Sequence, residues 1–310
     1  MKTFTATPRA DLYTRVTERV IADLEAGVRP WIKPWDARNG YGAGLPVRHN
    51  GLPYRGVNVL ILWGEALDNG YGSPVWMTFK QALALGASIR KGEHGSMVVY
   101  ADRFTRIDTD ANGNEIEREI PFLKAYTVFN VAQINGLSPQ YYASTERSAD
   151  RLRLIEAAER FFAATAAVIR HGGDVAYYAA GPDVIQLPCP QAFRDAESYS
   201  ATKAHELIHW TSHPDRLARD FGAKRFGDTG YAREELVAEI GAAFLCAHLQ
   251  ITVEPREDHA AYIAHWLQLL CEDKRVIFAA AAHAQRAVDF LHGLQPVEVE
   301  SALATAEHAP

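Results

Sequence analysis

The chain has 310 residues, 48% of them hydrophobic and 23% charged, with a net charge of −6. That length leaves room for two domains with separate cores, and no biased tract sets the composition apart from ordinary soluble proteins. The longest apolar run, residues 57–63, is interrupted by Asn58 and is too short for a bilayer; residues 1–8 hold no apolar core of the kind a secretory signal needs.

Three cysteines, Cys189, Cys246 and Cys271, are widely spaced and odd in number. They argue against a disulfide framework and a cysteine zinc cluster, suit a reducing cytoplasm, and are expected as small buried thiols. Charge is unevenly spread. Residues 1–145 hold 16 Lys/Arg against 14 Asp/Glu, a net +2, and the remainder 16 against 24, a net −8. Within the first half, residues 102–120 carry 3 basic and 6 acidic side chains, so the rest of that half stands at 13 against 8, or +5. A polyanionic partner would therefore meet the first half.

In chain order, Leu12, Val16, Val20 and Leu24 form an apolar stripe that predicts a helix ending near Gly27. Residues 30–54, rich in Pro, Trp and Gly, read as an irregular ordered loop. Residues 56–68 predict a buried helix stopped by Asn69 and Gly70, and residues 78–85 a short helix ended by Gly86. Two strands follow, 96–108 and 115–130, joined by an Asp/Asn/Gly turn whose acidic tip faces solvent. A polar segment at 137–150 marks the boundary between the halves. Beyond it, Leu152, Ile155, Phe162, Ala166 and Ile169 predict an amphipathic helix ending at Gly172. Residues 175–179 and 184–187 flank Gly181-Pro182-Asp183 as a short hairpin. Helices are then expected near 195–211, 231–249 and 258–291, the last with a break left open in its middle, before a frayed tail after Gly293.

The chemistry is concentrated in one motif. His205-Glu206-Leu207-Ile208-His209 has the pattern H-E-x-x-H. Helical residues four apart project from one face, so both imidazoles can reach one zinc ion while Glu206 stands beside the water that the metal activates. Zinc lowers the pKa of that water to about 7; Glu206 is the candidate catalytic base that takes its proton and hands it to a leaving nitrogen. A third ligand is needed. Glu235 and Glu239 share a helical face, so one can ligate while the other orients a ligating histidine. Metallopeptidases with two histidines and one glutamate commonly carry E-x-x-x-D/E with the first carboxylate on the metal, which favours Glu235 and keeps Glu239 as the alternative; Glu234 is expected in solvent or in a salt bridge. His213 stands only four residues after His209, against six in the three-histidine pattern, and Pro214 follows it. His171, His248, His265 and His283 lack ligand spacing. Histidine-rich tetrahedral sites favour zinc and leave manganese and cobalt open.

A wider pattern joins these pieces. Trp31-Ile32-Lys33-Pro34-Trp35, Tyr54-Arg55-Gly56-Val57-Asn58, Trp76-Met77-Thr78-Phe79-Lys80-Gln81-Ala82 and the stretch from Leu85 to Gly95 occupy the first half; the metal motif, the stretch from Tyr231 to Phe244, Asp273-Lys274-Arg275-Val276-Ile277-Phe278 and Ala284-Gln285-Arg286-Ala287 occupy the second. In this order, over nearly the whole chain, they resemble ArdC-type antirestriction proteins, a class related to TraC-type plasmid primases through the N-terminal domain. Where that class usually has Gly-Glu-Lys-Gly, this chain has Gly92-Glu93-His94-Gly95, exchanging a permanent cation for a titratable one.

The resemblance implies an α+β fold in two domains: residues 1–145, a mixed α/β domain that binds single-stranded DNA, and residues 146–310, a mainly helical zincin-like metallopeptidase domain with a short hairpin. It implies protection of incoming conjugative plasmid DNA from restriction. Residue types in the first half permit DNA binding, because aromatics stack on bases and Lys/Arg track phosphates. Trp31, Trp35, Tyr54 and Trp76 are the candidate platforms, and Lys33, Arg55, Lys80, Arg90 and Lys91 the candidate cations. Lys274 reads as a solvated helix lysine. The partners expected are single-stranded DNA and, left open, a peptide or protein substrate, with no membrane and a cytoplasmic location. The alternative is a cytoplasmic zinc metallopeptidase whose N-terminal domain recognises protein. A third possibility is DNA protection alone, with zinc serving only the fold.

Overall fold

The structure, a computed structural model, describes residues 11–31, 44–109, 115–142, 151–222, 228–251 and 260–296. Asp11 starts helix α1 (Leu12–Glu25): its carboxylate accepts the Thr14 N–H at 2.8 Å, and Val16, Val20 and Leu24 form the buried stripe that the spacing predicts. Helix α2 (Val57–Asn69) buries Val57, Val59, Leu60, Leu62 and Trp63 and ends at Gly70 in the left-handed conformation that glycine tolerates. Strands β1 (Val47–Arg48), β2 (Val75–Thr78), β4 (Ser96–Thr109) and β5 (Glu115–Asn130) form one sheet in the order β1-β2-β5-β4. The long β4–β5 pair is antiparallel from Ser96↔Val128 to Thr109↔Glu115. Asn58 on α2 pairs with the Val99 backbone through both side-chain atoms, at 2.7 and 2.8 Å, and so orients β4 against the helix. The short helix α3 (Phe79–Ala84) opens with a reciprocal Thr78–Gln81 cap, and β3 (Ser88–Ile89) pairs with β6 (Ile134–Asn135). The expected loop at 30–54 lies partly outside the described residues, as do the hairpin tip, part of the 137–150 segment and most of the tail.

In the second half, helix α4 (Arg151–Ala164) is shorter than the apolar spacing suggests. The chain turns at Thr165, whose hydroxyl donates to the Phe162 carbonyl at 2.6 Å, and at Ala166, which takes φ +57°. Ile169, whose spacing places it on that helix, lies instead on a strand, β7 (Val168–His171). β7 pairs in parallel with β9 (Val184–Leu187), which pairs antiparallel with β8 (Tyr177–Ala179). The expected hairpin is thus two strands of a three-stranded sheet. Helices α5 (Ala196–Trp210), α6 (Thr229–Leu249), α7 (Ala260–Glu272) and α8 (Val276–Gly293) follow. The expected last helix is two, broken at Asp273-Lys274-Arg275. Lys274 is therefore off the helix, and its carbonyl accepts the buried Thr17 hydroxyl at 2.6 Å.

Helix α6 is buried on every side from Glu235 to Ala247, the pattern of a helix at the centre of a core. The main cores are not separate. Trp63 packs edge-on against Phe244 with centroids 5.8 Å apart, Trp31 against Trp266 at 5.6 Å and Tyr13 against Phe278 at 4.7 Å, so buried residues of both halves form one cluster. Arg55 pairs with Asp289 across the same seam, and the Gly56 N–H reaches Gln285 Oε1 at 3.1 Å. A second, smaller cluster of Met77, Ala82, Ala87, Val131, Ile134 and Leu137 lies beneath α3. Cys246 is buried, and burial pushes its thiol up to about 12; Cys189 and Cys271 are exposed, against expectation. Among the described residues no helix is long and apolar enough to cross a membrane.

The C-terminal ends of α6 and α8 meet at a histidine pair. His292 lies between Phe161, at 5.0 Å, and His248, at 4.1 Å between centroids. Burial, then the neighbouring imidazole, pushes His292 down to about 4 from an ordinary 6.5, and burial lowers His248 as well. Between those values the unfolded chain binds the proton and the folded chain does not. This contribution to stability is therefore complete above pH ~6.5 and is lost as pH falls toward ~4. Thermal melts between pH 7.5 and 4.5 should show a shallower decline for His292→Phe than for the parent protein; equal slopes would refute the assignment.

Candidate metal centre

Helix α5 starts at Asp195, whose carboxylate accepts the Ser198 N–H at 2.7 Å, and α6 starts at Asp228, which accepts the Tyr231 N–H at 2.8 Å. The two helices approach closely at one position. A Cβ on Gly241 would stand 2.9–3.0 Å from three side-chain carbons of Ile208, so only glycine fits that crossing unstrained. The approach turns the histidine face of α5 toward the glutamates of α6.

There the structure brings His205, His209 and Glu235 together. His205 Nε2 and His209 Nε2 are 3.1 Å apart, and each stands 3.5 Å from an oxygen of Glu235. Donor atoms about 2.0–2.1 Å from a tetrahedral zinc stand ~3.3–3.4 Å apart, so this triangle has the dimensions of three corners of a metal's coordination sphere. These residues form a group able to hold an ion. Glu206 is 3% exposed on the same helix.

The remaining imidazole nitrogens are also engaged. His205 Nδ1 faces Glu239 Oε1 at 3.4 Å, and His209 Nδ1 faces Glu234 Oε1 at 3.1 Å. Fixing Nδ1 fixes the ring and leaves Nε2 for the ion. Of the two carboxylates that spacing offers, Glu235 faces both Nε2 atoms and Glu239 lies behind His205. Glu234 is salt-bridged, one of the two outcomes expected for it, and also faces His209, a contact outside that expectation. It is held by Arg219 at 2.6 and 2.8 Å, and Arg219 also donates to the Ile208 carbonyl at 2.9 Å and to Thr211 Oγ1 at 3.1 Å, closing the end of α5. Adjacent Glu234-Glu235, about 100° apart around a helix, could have suggested one carboxylate per histidine nitrogen; Arg219, in an irregular segment, carries no such signal. His213 lies outside the cluster, beside Asp215.

Charge follows burial. Burial opposes protonation of His205, but Glu235 and Glu239 overcome it and hold the imidazole up to about 9; burial likewise opposes the charge of His209, which Glu235 and Glu234 raise well above 6.5. Burial works against the Glu235 anion, yet the two histidines hold its carboxyl far below the usual range. Glu235, and Glu234 beside Arg219, are thus held ionised, and the pocket demands positive charge, from protons or from a divalent ion. Tyr231, 3.4 Å from the Tyr262 hydroxyl, is raised by burial and then by Glu235, which keeps its phenol protonated and able to donate.

The DNA-contact expectations fare differently. Trp31 and Trp76 are each 1% exposed and Tyr54 is buried, so none offers a face for a base; Trp76 packs on Tyr71 at 5.7 Å. Aromatic bulk took them into the core, where their area is best removed from water. Lys33 and Trp35 lie outside the described residues. Arg55 pairs with Asp289 and Arg90 with Glu93, the latter at 2.6 Å, and both remain exposed. Lys80 and Lys91 are exposed. The exposed aromatics of this half include Phe79, next to Lys80, and Tyr100 and Tyr126, edge-on at 6.2 Å on the β4–β5 pair.

A helix bearing H-E-x-x-H, set against a glutamate-bearing helix and flanked by a small sheet, defines the zincin-like class, and the zincin-like metallopeptidase family matches residues 156–283. The N-terminal domain of anti-restriction factor ArdC matches residues 10–129. The metal-free crystal structure of the antirestriction ArdC protein from plasmid R388 shares 45% identity and a TM-score of 0.77, over 92% of this chain and 98% of that one. Its Mn(II)-bound structure aligns with a TM-score of 0.74 at 43% identity over the same shares. This chain belongs to the ArdC antirestriction protein family. Protein y4eC of Sinorhizobium fredii is 42% identical over 92% of both chains. A DNA primase TraC of Escherichia coli is 40% identical over 93% of this chain, which spans only 28% of the primase's own length.

The helix crossing gives a direct test. Gly241→Ala should push α6 from α5, costing about 1–3 kcal/mol of stability and weakening metal binding together. Calorimetric melting and zinc titration measure the two; a variant unchanged in both would show that the crossing does not set the ligand spacing.

Proposed function

We propose that this protein binds single-stranded DNA through its first half (residues 1–145) and carries a zinc-type peptidase centre in its second (residues 146–310), protecting incoming conjugative DNA from restriction. The observation that supports the chemistry is the triangle of His205, His209 and Glu235 at 3.1–3.5 Å. A bound divalent ion would supply Lewis acidity to water and carbonyl. His205, His209 and Glu235 hold it, Glu234 and Glu239 orient the imidazoles, and Glu206 accepts the proton of the attacking water and delivers it to the leaving nitrogen. Tyr231 offers a neutral hydroxyl for the carbonyl oxygen as it gains charge. Two imidazoles and one carboxylate favour zinc; the Mn(II) held by the R388 protein makes manganese the competing ion.

Glu206→Ala removes the base without removing a ligand. Cleavage of an unfolded protein substrate should fall by ~10²–10⁴-fold while metal affinity stays near the parent value. Undiminished cleavage would exclude the assigned role, and the same variant in a transfer assay into a restricting host reads whether proteolysis is needed for protection.

Support for DNA is kinship with an antirestriction protein and with primases, together with the exposed cations Lys80, Arg90 and Lys91 and the exposed Phe79 that precedes Lys80. Arg90→Ala with Lys91→Ala should weaken binding of a fluorescent single-stranded oligonucleotide. It should also flatten the log–log salt dependence by ~1.4, about 0.7 for each phosphate no longer neutralised. With Trp31, Tyr54 and Trp76 buried, DNA would have to be held by the exposed side chains. The alternative is a first half that recognises protein. Salt-insensitive or absent oligonucleotide binding by the parent protein would decide for it.

A further inference from the structure

We infer that the metal centre is completed from the N-terminal half, with Trp31 and Arg29 acting as positioning residues for His205 through Glu239. This rests on the proposed metal centre and adds residues that neither the motif nor the zincin-like family match, which begins at residue 156, contains.

The carboxylate of Glu239 is 7% exposed and is gripped from two sides. Oε1 faces His205 Nδ1 at 3.4 Å; Oε2 accepts the Trp31 indole N–H at 3.4 Å and stands 4.0 Å from Arg29 Nη1. Trp31 is in turn fixed to α6: it packs edge-on against Trp266, whose indole N–H donates to the Ala232 carbonyl at 3.0 Å. Arg29 and Trp31 follow α1 directly through a turn closed by Val28 N–H on the Asp23 carbonyl at 2.7 Å. The seating of α1 therefore sets where the indole and the guanidinium lie.

Without that grip, Glu239 would be a buried anion on the same helix face as Glu235, repelled by it and free to turn from His205. Arg29 offsets the charge, and the indole N–H selects one carboxylate orientation. The other oxygen then receives the His205 Nδ1–H, and Nε2 is left as the lone pair facing the triangle. The aromatic that the sequence marks as a base platform thus serves the ion. Linkage makes the relation reciprocal, so ion binding also steadies the docking of the first half.

The full-length protein tests this through a double-mutant cycle. Trp31→Phe keeps a ring against Trp266 and removes the N–H; Glu239→Gln removes the relayed anion. Competition with a chromophoric chelator gives zinc and manganese affinities. Trp31→Phe should weaken both about tenfold, Glu239→Gln by about 10–100-fold, and the double variant no more than Glu239→Gln alone. The visible absorption of bound cobalt(II), which reports ligand geometry, should move in the same direction in both single variants. Parent-like affinity in Trp31→Phe, multiplicative losses, or a lowered melting temperature with an unmoved cobalt spectrum would overturn the inference. Arg29→Met in the same cycle decides the matter if Trp31→Phe does not fold. A parent protein that binds none of the three ions overturns the metal centre itself, and this inference with it.

Discussion

Everything in the second half depends on how closely α5 and α6 cross. With hydrogen alone between Gly241 and Ile208, the helices bring two imidazoles and three carboxylates into a volume largely closed to water. Burying one carboxylate without compensation costs several kcal/mol, and burying three together costs more through mutual repulsion. Positive charge must answer them. Arg219 answers Glu234, Arg29 stands near Glu239, and the histidine pair answers Glu235. A divalent ion would replace the protons of that pair, and so the same geometry that is costly when empty of cations suits a divalent ion.

The compensation is shared between the halves, and so is the packing. Trp63 on Phe244, Trp31 on Trp266 and the Thr17 hydroxyl on the Lys274 carbonyl join buried residues of both halves into one main core. Apolar area at such a seam is worth about 25 cal/mol for each Å² removed from water, so separating the halves would expose side chains that neither could cover. The half that matches the ArdC N-terminal domain and the half that matches the zincin-like family are here mechanically joined.

Much of this was legible one element at a time. The α1 stripe, the H-E-x-x-H face, the pair of long strands and the 184–187 strand follow from spacing and turn residues, which act over a few positions. Where the reading went astray, a distant partner had decided. Ile169 continues a helical spacing yet pairs with Ile185 on a strand, because Thr165 and Ala166 end the helix first. β2 is four residues long, too short to show alternation, and is held by β1 and β5. Trp31 and Trp76 lie among Lys and Arg in sequence and among apolar side chains in space.

By itself the amino-acid order determined that His205 and His209 would share a face with Glu206 beside them, and that two carboxylates four apart would follow on another helix, because helical geometry is local. It could not determine which carboxylate faces both Nε2 atoms, that Glu234 and Arg219 would complete the far side of His209, or that Trp31 would reach Glu239 across 208 positions. Those contacts arise only where α5, α6 and the segment after α1 converge. What sets them is the fit of side chains at the crossing, and no periodicity in the chain records it.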